Sequence, residues 1–235
     1  MDNKLINLYQ KIDKCPFCSP SRQNFGGGGK SLKNPLQHIH GFGTISPKFM
    51  LILINPTYRN ISSNPKYIGP RFPFIGVRQF WKVLGDAGLI NKKIACKLPK
   101  RQDWSKTHTK QIQNELLKNK LFLTNIVKCC YNHSSYPDKR VIEAQLRFLK
   151  EEIKIVRPKK IIAFGALVFK ILTGESIHLS NYWNNISRLC PSTSSGLRSK
   201  YNENISGLNI KVLPCYFPIG RGNPNKAINY LKRIK

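Results

Sequence analysis

Four short apolar runs, separated by stretches of helical periodicity, constrain the fold of this chain more than any other feature of its sequence. The runs are residues 49–54, 121–127, 160–164 and 210–216. Each has the length of a strand that is buried on both faces. Strands that alternate with helices pair in parallel, and the helices cover both faces of the sheet. The sequence therefore predicts an α/β fold with three layers, α/β/α, around a central four-stranded parallel sheet.

Helices are predicted where apolar residues recur with a period near 3.6. The strongest pattern is residues 138–156, followed by Pro158, which a helix does not pass easily. Its predicted apolar face consists of Ile142, Leu146, Leu149 and Ile153. The other predicted helices are residues 77–87, 166–172 and 224–234. The predicted helix 224–234 begins with Pro224, directly after Asn223, and this combination is typical of a helix N-terminus.

A length of 235 residues suits one domain, and we expect a single domain spanning residues 1–235. Two parts fall outside the strand–helix pattern: a Cys-containing segment, residues 1–45, and a Ser/Asn-rich tract, residues 175–207, expected to be an excursion loop. No apolar run approaches the ~20 residues of a membrane span, and the first residues lack the apolar stretch of a signal peptide. We therefore expect a monomeric, intracellular (cytoplasmic) protein that does not associate with membranes.

The charge of the chain is strongly one-sided, with 40 Lys and Arg against 11 Asp and Glu, a formal net charge of +29. Such an excess favours a polyanionic partner, above all nucleic acid. The alternative is a lysine-rich composition that reflects codon bias alone. Asp and Glu are absent from residues 14–85 and 204–235. Their absence argues against carboxylate-built Mg²⁺ sites and paired-carboxylate chemistry in these two segments.

Candidate functional residues follow the predicted strands, because ligands of α/β proteins bind outside the carboxyl ends of parallel strands. This rule selects residues 55–59, residues 125–130, Gly165 and residues 217–223. Amides, prolines and glycines are concentrated there, next to otherwise apolar runs.

Several of these motifs, in order, resemble the uracil-DNA glycosylase superfamily. ILINP followed by RQFWKVLGDAGL is similar to the first motif of its mismatch-specific and single-strand-selective branches. PFIG matches the segment that supplies the ring stacked on the base. LTNIVKC and the helix that ends RFLKEEIKIVRPKKIIAFGA resemble the iron–sulfur branch, known from thermophiles. FPIGRGNPNKA is similar to the last motif, especially in its single-strand-selective form.

The resemblance implies a base-binding pocket at the carboxyl edge of the sheet. Asn55 would position the attacking water, although a neutral amide cannot take its proton. Phe74 would stack on the base. Asn125 would read the O4/N3–H edge of uracil, because one amide offers both an acceptor and a donor. The remaining substrate-binding positions implied are Ile54, Pro56 and Phe217.

A DNA-binding corner is expected where the last strand meets the last helix. Backbone N–H groups at a helix N-terminus and basic side chains bind phosphates, and the glycines let the loop approach DNA closely. The residues of this corner are Gly220, Arg221, Gly222, Asn223 and Lys226. The plainer alternative is an ordinary strand-to-helix turn.

Two positions depart from the pattern of the family. The last motif usually begins with His, which donates a hydrogen bond to the departing base, and Phe217 stands there instead. Backbone N–H groups near Ile219 and Gly220 would then have to stabilise the base. Leu53 occupies a position where the family often has Gly, so we expect a more crowded strand end.

The seven cysteines leave the metal question open, and their odd number argues against a disulfide framework. Cys15, Cys18 and Cys129 match three of the four ligands of the iron–sulfur branch, which suggests a 4Fe–4S cluster. The expected fourth position holds Gln145, and Cys130 is a substitute. The alternatives are zinc, with Cys130 or His133 as fourth ligand, or ordinary cysteines and no metal.

The main functional hypothesis is a monofunctional DNA glycosylase of base excision repair. It would hydrolyse uracil, or a related deaminated base, from single- or double-stranded DNA. No lysine nucleophile is evident at the strand ends, so no lyase step is expected. The second hypothesis is a catalytically weak or inactive nucleic-acid-binding protein on the same fold, favoured by Phe217 and Gln145. A third, an RNA- or ribosome-associated protein, rests on charge alone.

Overall fold

The structure, a computed structural model, describes residues 2–15, 38–57, 60–131, 136–182, 202–205 (backbone only), 207–220 and 222–235. These residues form a six-stranded sheet in the order β1-β3-β2-β4-β6-β5. The strands are β1 (Phe42–Gly43), β2 (Phe49–Leu53), β3 (Leu121–Asn125), β4 (Lys160–Phe164), β5 (Asn202–Ile205) and β6 (Leu208–Cys215).

The four predicted strands are the four central ones, and they pair in parallel. The sheet is larger than predicted because β1 and β5 add antiparallel edges, to β3 and β6 respectively. The prediction of an excursion loop over residues 175–207 is therefore wrong for its last residues, because β5 forms a hairpin with β6 there. Both edge strands are too short or too polar to show an apolar pattern, so only pairing with a neighbour reveals them. Residues 183–201 of that tract lie outside the described residues.

The helices of the described residues are α1 (Asn3–Asp13), α2 (Arg78–Asp86), α3 (Lys92–Lys97), α4 (Lys106–Lys118), α5 (Lys139–Val156), α6 (Ala166–Thr173) and α7 (Pro224–Ile234). Two short 3₁₀ turns, Ile61–Ser63 and Arg101–Asp103, lie between them. The caps explain the boundaries: the Asp138 carboxylate accepts from the Val141 amide at 2.9 Å, and Asn223 accepts from the Lys226 amide at 3.2 Å.

Two apolar cores, one on each face of the sheet, confirm the three-layer arrangement. The first core packs α2 and α7 against one face, with Phe80, Trp81, Leu84, Tyr230 and Leu231 among its members. The second core packs α1, α5 and α6 against the other, with Leu8, Ile12, Leu149, Ile153 and Phe169 among its members. Strand β2 contributes alternate residues to each core, as a strand buried on both faces must.

Helix α1 lies in the segment that the sequence analysis treated only as Cys-containing. Leu5, Leu8 and Ile12 recur at helical spacing and are all buried. The Asp2 carboxylate caps the helix by accepting from the Lys4 amide at 2.7 Å. A second difference concerns α5, whose most deeply buried face includes Gln145 and Glu152 rather than apolar residues alone. None of the described helices is long and apolar enough to cross a membrane.

Candidate functional site

The ends of β2 and β3 run side by side, and this brings two of the predicted amides to one edge of the sheet. Leu53 pairs with Asn125 in the parallel register. Beyond the strands, the Val127 amide donates to the Ile54 carbonyl at 2.9 Å and the Tyr131 amide donates to the Pro56 carbonyl at 3.1 Å. Paired residues of neighbouring strands share a face, so the Asn125 side chain lies on the face of the first core, as Leu53 does.

Asn125 is the most unusual residue of this edge. It is fully buried, and neither its Oδ1 nor its Nδ2 has a hydrogen-bond partner among the described residues. A buried polar group without a partner costs roughly 1–3 kcal/mol, and native proteins rarely leave one without a reason. The amide is therefore placed to bind something that supplies one acceptor and one donor.

Phe74 also lies in the first core, and its backbone is strained. Its φ is +65°, in the left-handed region that bulky residues avoid. The strain is held in place because the Phe74 carbonyl accepts from the Trp81 indole at 2.9 Å and from the Val77 amide at 3.0 Å. Strain of this kind costs on the order of 1–3 kcal/mol and clusters at ligand-binding sites. The Phe74 ring stacks on Phe80, with centroids 4.2 Å apart and planes inclined by 23°.

The segment that carries Phe74 is anchored to the chain that follows β2. The Ile61 amide donates to the Ile75 carbonyl at 3.0 Å, and the Ser62 hydroxyl donates to the Phe72 carbonyl. Arg71 donates to the carbonyls of Ser62 and Asn64 and so closes the loop between them. These bonds tie the position of the aromatic ring to the strand end from which Asn55 projects.

Asn55 follows β2 by two residues and is buried, with 8% exposed. Its Nδ2 donates to the Pro56 carbonyl at 2.9 Å, which restricts the orientation of the side chain. Of its neighbours, Pro56 is buried and Ile54 is half-buried against the second core. The structure thus places Asn55 just beyond the carboxyl end of β2, and places Ile54 toward the second core.

The loop after β6 is a tight turn that brings Phe217 to the same face. The Phe217 ring is half-buried against the first core. Its carbonyl accepts from the Asn223 amide at 3.1 Å. Gly222 is required here, because a Cβ at this position would lie 2.1 Å from the Phe217 carbonyl oxygen. Gly220 has a φ of +59°, which glycine adopts without strain.

Several backbone N–H groups of this loop are already engaged. The Gly220 amide donates to Gln79 Oε1 at 3.3 Å, and the Gly222 amide donates to the Ile219 carbonyl at 3.0 Å. The Lys226 amide donates to Asn223, while the Lys226 ammonium lies 5.4 Å from the centroid of the Tyr216 ring. The expected corner is thus a turn in which the Gly220, Gly222 and Lys226 amides are engaged within the protein. Arg221 lies outside the described residues.

The residues expected to bind a metal do not form a cluster site within the part of the chain that the structure describes. Cys15 and Cys130 are buried free thiols, and Cys129 is engaged in a disulfide. Gln145 stands where a fourth thiolate was expected, and its Nε2 donates to Cys15 Sγ at 3.2 Å. Burial raises the pKa of the Cys130 thiol.

No group of three or more His, Cys, Asp or Glu side chains able to hold a metal ion occurs among the described residues. Cys18 and His133 lie outside them. An amide that already donates to a sulfur is a poor replacement for a thiolate, since Fe–S clusters are held by Cys thiolates. Among the described residues no complete set of four thiolates forms, so the cluster stays a prediction and no step of the reaction is assigned to one.

Two buried charges that the sequence analysis did not single out lie directly behind the site. Lys128 and Glu152 are fully buried, and their ion pair measures 2.7 Å. The sequence does contain a signal for both residues, because each charge stands beside apolar residues. Lys128 directly follows the apolar run 121–127, and Glu152 lies on the buried face of α5.

The fold and the arrangement of its carboxyl edge together define a protein of one superfamily. The family model described as "Uracil DNA glycosylase superfamily" matches residues 40–233, and the chain belongs to this superfamily. The resemblance stated from the motifs is thereby confirmed. Helix α1 lies outside the matched residues.

Among curated proteins, the chain is similar to the "Type-4 uracil-DNA glycosylase" of Pyrobaculum aerophilum. The two are 26% identical over 98 residues, which cover 42% of this chain and 45% of that protein. The chain thus matches less than half the length of this relative.

Proposed function

We propose that this protein is a monofunctional DNA glycosylase that hydrolyses the N-glycosidic bond of uracil, or of a related deaminated base, in DNA. The unpaired, fully buried amide of Asn125 is the observation that carries the proposal. Membership of the superfamily supports it. Uracil presents an acceptor, O4, beside a donor, N3–H, and one asparagine amide complements both.

Selection of the base follows from the burial of this amide. Cytosine presents the reverse pattern, an acceptor at N3 beside an amino donor, so it opposes the amide when Oδ1 faces position 3 of the base and Nδ2 faces position 4. Selection against cytosine therefore requires that the bound state hold the amide in this one orientation. A buried site that hydrogen-bonds its substrate rejects an analogue that leaves these groups unpaired. Phe74, held rigid and stacked on Phe80, supplies an aromatic surface for a base that has left the helical stack.

The surrounding positive charge supplies the affinity for DNA. A formal net charge of +29 favours contacts with phosphates, which are independent of sequence and weaken steeply with added salt. Flipping a base costs a few kcal/mol, least where it is mismatched or single-stranded. Phosphate contacts by Arg221, which precedes α7 in the sequence, and by Lys226, in the first turn of α7, would hold the strand while the base occupies the pocket.

The proposed activity is tested with oligonucleotides that carry one uracil, single- and double-stranded, under excess enzyme and followed by alkali. We expect strand breaks at uracil after alkali treatment and none without it, because no lyase step is proposed. Cytosine- and thymine-containing oligonucleotides serve as controls. A lack of cleavage of every deaminated base at high enzyme concentration would overturn the proposal.

A second candidate is a nucleic-acid-binding protein with little or no catalysis. It is favoured by Phe217, whose ring has no N–H or O–H donor, and by the Gly220 amide, which already donates to Gln79. This candidate predicts tight, salt-sensitive DNA binding that an Asn55→Ala substitution leaves unchanged, with no excision by either protein. Preference for structured RNA over uracil-containing DNA would instead favour an RNA-associated role.

An Asn55→Asp substitution is expected to accelerate excision. Residues 14–85 contain no carboxylate, so the proposed water has no general base from this segment. A positioned base contributes about 10²–10⁴-fold in other enzymes. We expect a gain of at least about tenfold in the single-turnover rate, with a new dependence on an ionised carboxylate that lowers the rate as pH falls. Asn55→Ala is the control that should lose activity, and an equal loss in both variants would contradict the assigned role.

The metal content of the purified protein is a separate prediction. Since Gln145 contacts Cys15 where a fourth thiolate was expected, we expect protein purified without oxygen to lack the visible absorption of an iron–sulfur cluster. Iron and zinc are measured by elemental analysis, with the Gln145→Cys variant for comparison. About four irons per wild-type chain would show that ligands outside the described residues complete a cluster.

A further inference from the structure

Four residues from three segments form a buried polar network behind the candidate base-reading residue. We refer to Tyr9, Thr124, Lys128 and Glu152 as the Lys128–Glu152 network. The Lys128 ammonium donates to Glu152 Oε2 at 2.7 Å, to Thr124 Oγ1 at 2.7 Å and to the Asn125 carbonyl at 2.6 Å. A lysine ammonium has three donors, so all three are satisfied within the protein.

The carboxylate of Glu152 is equally well satisfied. Its Oε2 also accepts from the Thr124 hydroxyl at 2.9 Å, and its Oε1 accepts from the Tyr9 hydroxyl at 2.7 Å. The Tyr9 oxygen lies 3.0 Å from the Gly41 carbonyl, and the Tyr9 ring stacks on His40 with centroids 4.3 Å apart. Burial and the Glu152 charge raise the pKa of Tyr9, which keeps its hydroxyl protonated as a donor.

Among the described residues, the network contacts the site at the backbone carbonyl of Asn125. Thr124 and Asn125 are the last two residues of β3, and alternation along the strand directs their side chains to opposite faces. Thr124 faces α5 and the second core, where Glu152 lies, whereas Asn125 faces the first core. The Asn125 side chain has no hydrogen bond of its own within the described residues, so its position depends on the backbone that carries it.

Stability alone gives little reason for this arrangement. Replacing a buried ion pair by apolar residues of similar volume is often neutral or stabilising, because burial removes both charges from water. A network that binds the Asn125 carbonyl does have a use at this point, since β3 and its register with β2 end at Asn125, and the hydrogen bonds that continue beyond the strands come from the Ile126 and Val127 amides. Small displacements of a binding group cost large factors in rate.

We infer that the Lys128–Glu152 network is a positioning device that fixes Asn125 for recognition of the base, an inference that rests on the proposed function. Tyr9 connects the device to α1, which lies outside the residues matched to the superfamily. The N-terminal helix is thereby part of the support of the site.

The test uses a paired variant, Lys128→Met with Glu152→Leu, which removes both charges and leaves neither one buried alone. We expect it to fold, with a thermal midpoint close to that of the wild type, and to excise uracil roughly 10- to 100-fold more slowly under single-turnover conditions. The affinity for free uracil should fall by a similar factor, while the affinity for DNA with an abasic site stays unchanged. Tyr9→Phe, which removes one hydroxyl, should show the same pattern more weakly.

The matched control is Lys11→Met with Glu151→Leu. This exposed ion pair measures 3.6 Å and joins α1 to α5, and its removal leaves the net charge unchanged, as in the paired variant. We expect wild-type excision and uracil affinity from it. A role confined to stability would instead change the thermal midpoint of the network variant without changing uracil affinity.

A double-mutant cycle with Asn125→Ala separates positioning from general damage. If the network acts through Asn125, adding the paired substitution to Asn125→Ala should slow excision by less than twofold further. Full additivity, or a folded paired variant with wild-type excision and uracil affinity, would overturn the inference. Failure of the wild type both to excise and to bind uracil would instead overturn the proposed function, and with it this inference.

Discussion

Replacement of Asn125 by Leu is expected to reduce uracil excision by about 10³-fold or more while leaving the protein as stable as the wild type or more stable. The bidentate contact to the base would be lost, which is worth roughly 1–3 kcal/mol in discrimination between bases. The O4 and N3–H groups of a bound uracil would also be left unpaired in a buried site, at a further cost of roughly 1–3 kcal/mol. The side chains of Leu and Asn contain the same number of non-hydrogen atoms, so the substitution changes polarity more than shape. It also removes a buried amide whose two polar atoms have no partner among the described residues.

The measurement combines single-turnover excision with chemical denaturation. We expect the free energy of unfolding to rise by about 1 kcal/mol, since the cost of an unpaired buried amide disappears. An Asn125→Asp variant keeps a polar side chain at this position but changes which hydrogen bonds it can make. A carboxylate only accepts hydrogen bonds, so it suits the amino group of cytosine better than the O4 atom of uracil. If Asn125→Leu destabilises the protein and excision falls only in proportion to unfolding, Asn125 is a structural residue rather than the reader of the base.

Replacement of Phe217 by His is expected to increase the excision rate by up to about 10²–10³-fold. The departing base carries negative charge, and a donor aimed at such a charge contributes about 2.7–4 kcal/mol in related chemistry. The Phe217 carbonyl is already fixed by the Asn223 amide, and the side chain is half-buried beside the first core. An imidazole at this position would therefore be attached to a backbone that hydrogen bonding already fixes.

The gain is measured as the single-turnover rate on uracil-containing single strands, where flipping limits the rate least. Phe217→Leu is the matched control, because it removes the ring without adding a donor and should not raise the rate. Equal rates for Phe217→His and the wild type would show that leaving-group stabilisation comes from elsewhere. An inactive wild type with an active Phe217→His variant would identify this position as the reason for a loss of catalysis.

Three structural costs of this molecule coincide at one edge of its sheet. An unpaired amide at Asn125, a left-handed aromatic residue at Phe74 and a buried charge pair at Lys128 and Glu152 all lie at or just behind the carboxyl ends of β2 and β3. Costs of this kind persist where function requires them. Their coincidence supports the edge as the site more strongly than any single motif does.

Local patterns were enough to predict the central part of the fold. Strand β4 and helix α7 have the predicted bounds, and α5 begins at Lys139, one residue after the predicted start, because Asp138 caps it. Periodicity is a property of adjacent residues, so it can be recognised without knowledge of the partners. The short β1 and the polar β5 lack this signal, because antiparallel neighbours alone make them strands.

The sequence by itself determined the layer architecture, the location of candidate residues at strand ends and the excess of positive charge. Only the tertiary structure decided that Asn125 has no partner among the described residues, that Gln145 contacts Cys15, and that Lys128 pairs with Glu152. The reason is the range of the interactions. Apolar periodicity is encoded within one turn or strand, whereas these contacts join residues 24 to 130 positions apart, and only packing of the whole sheet brings them together.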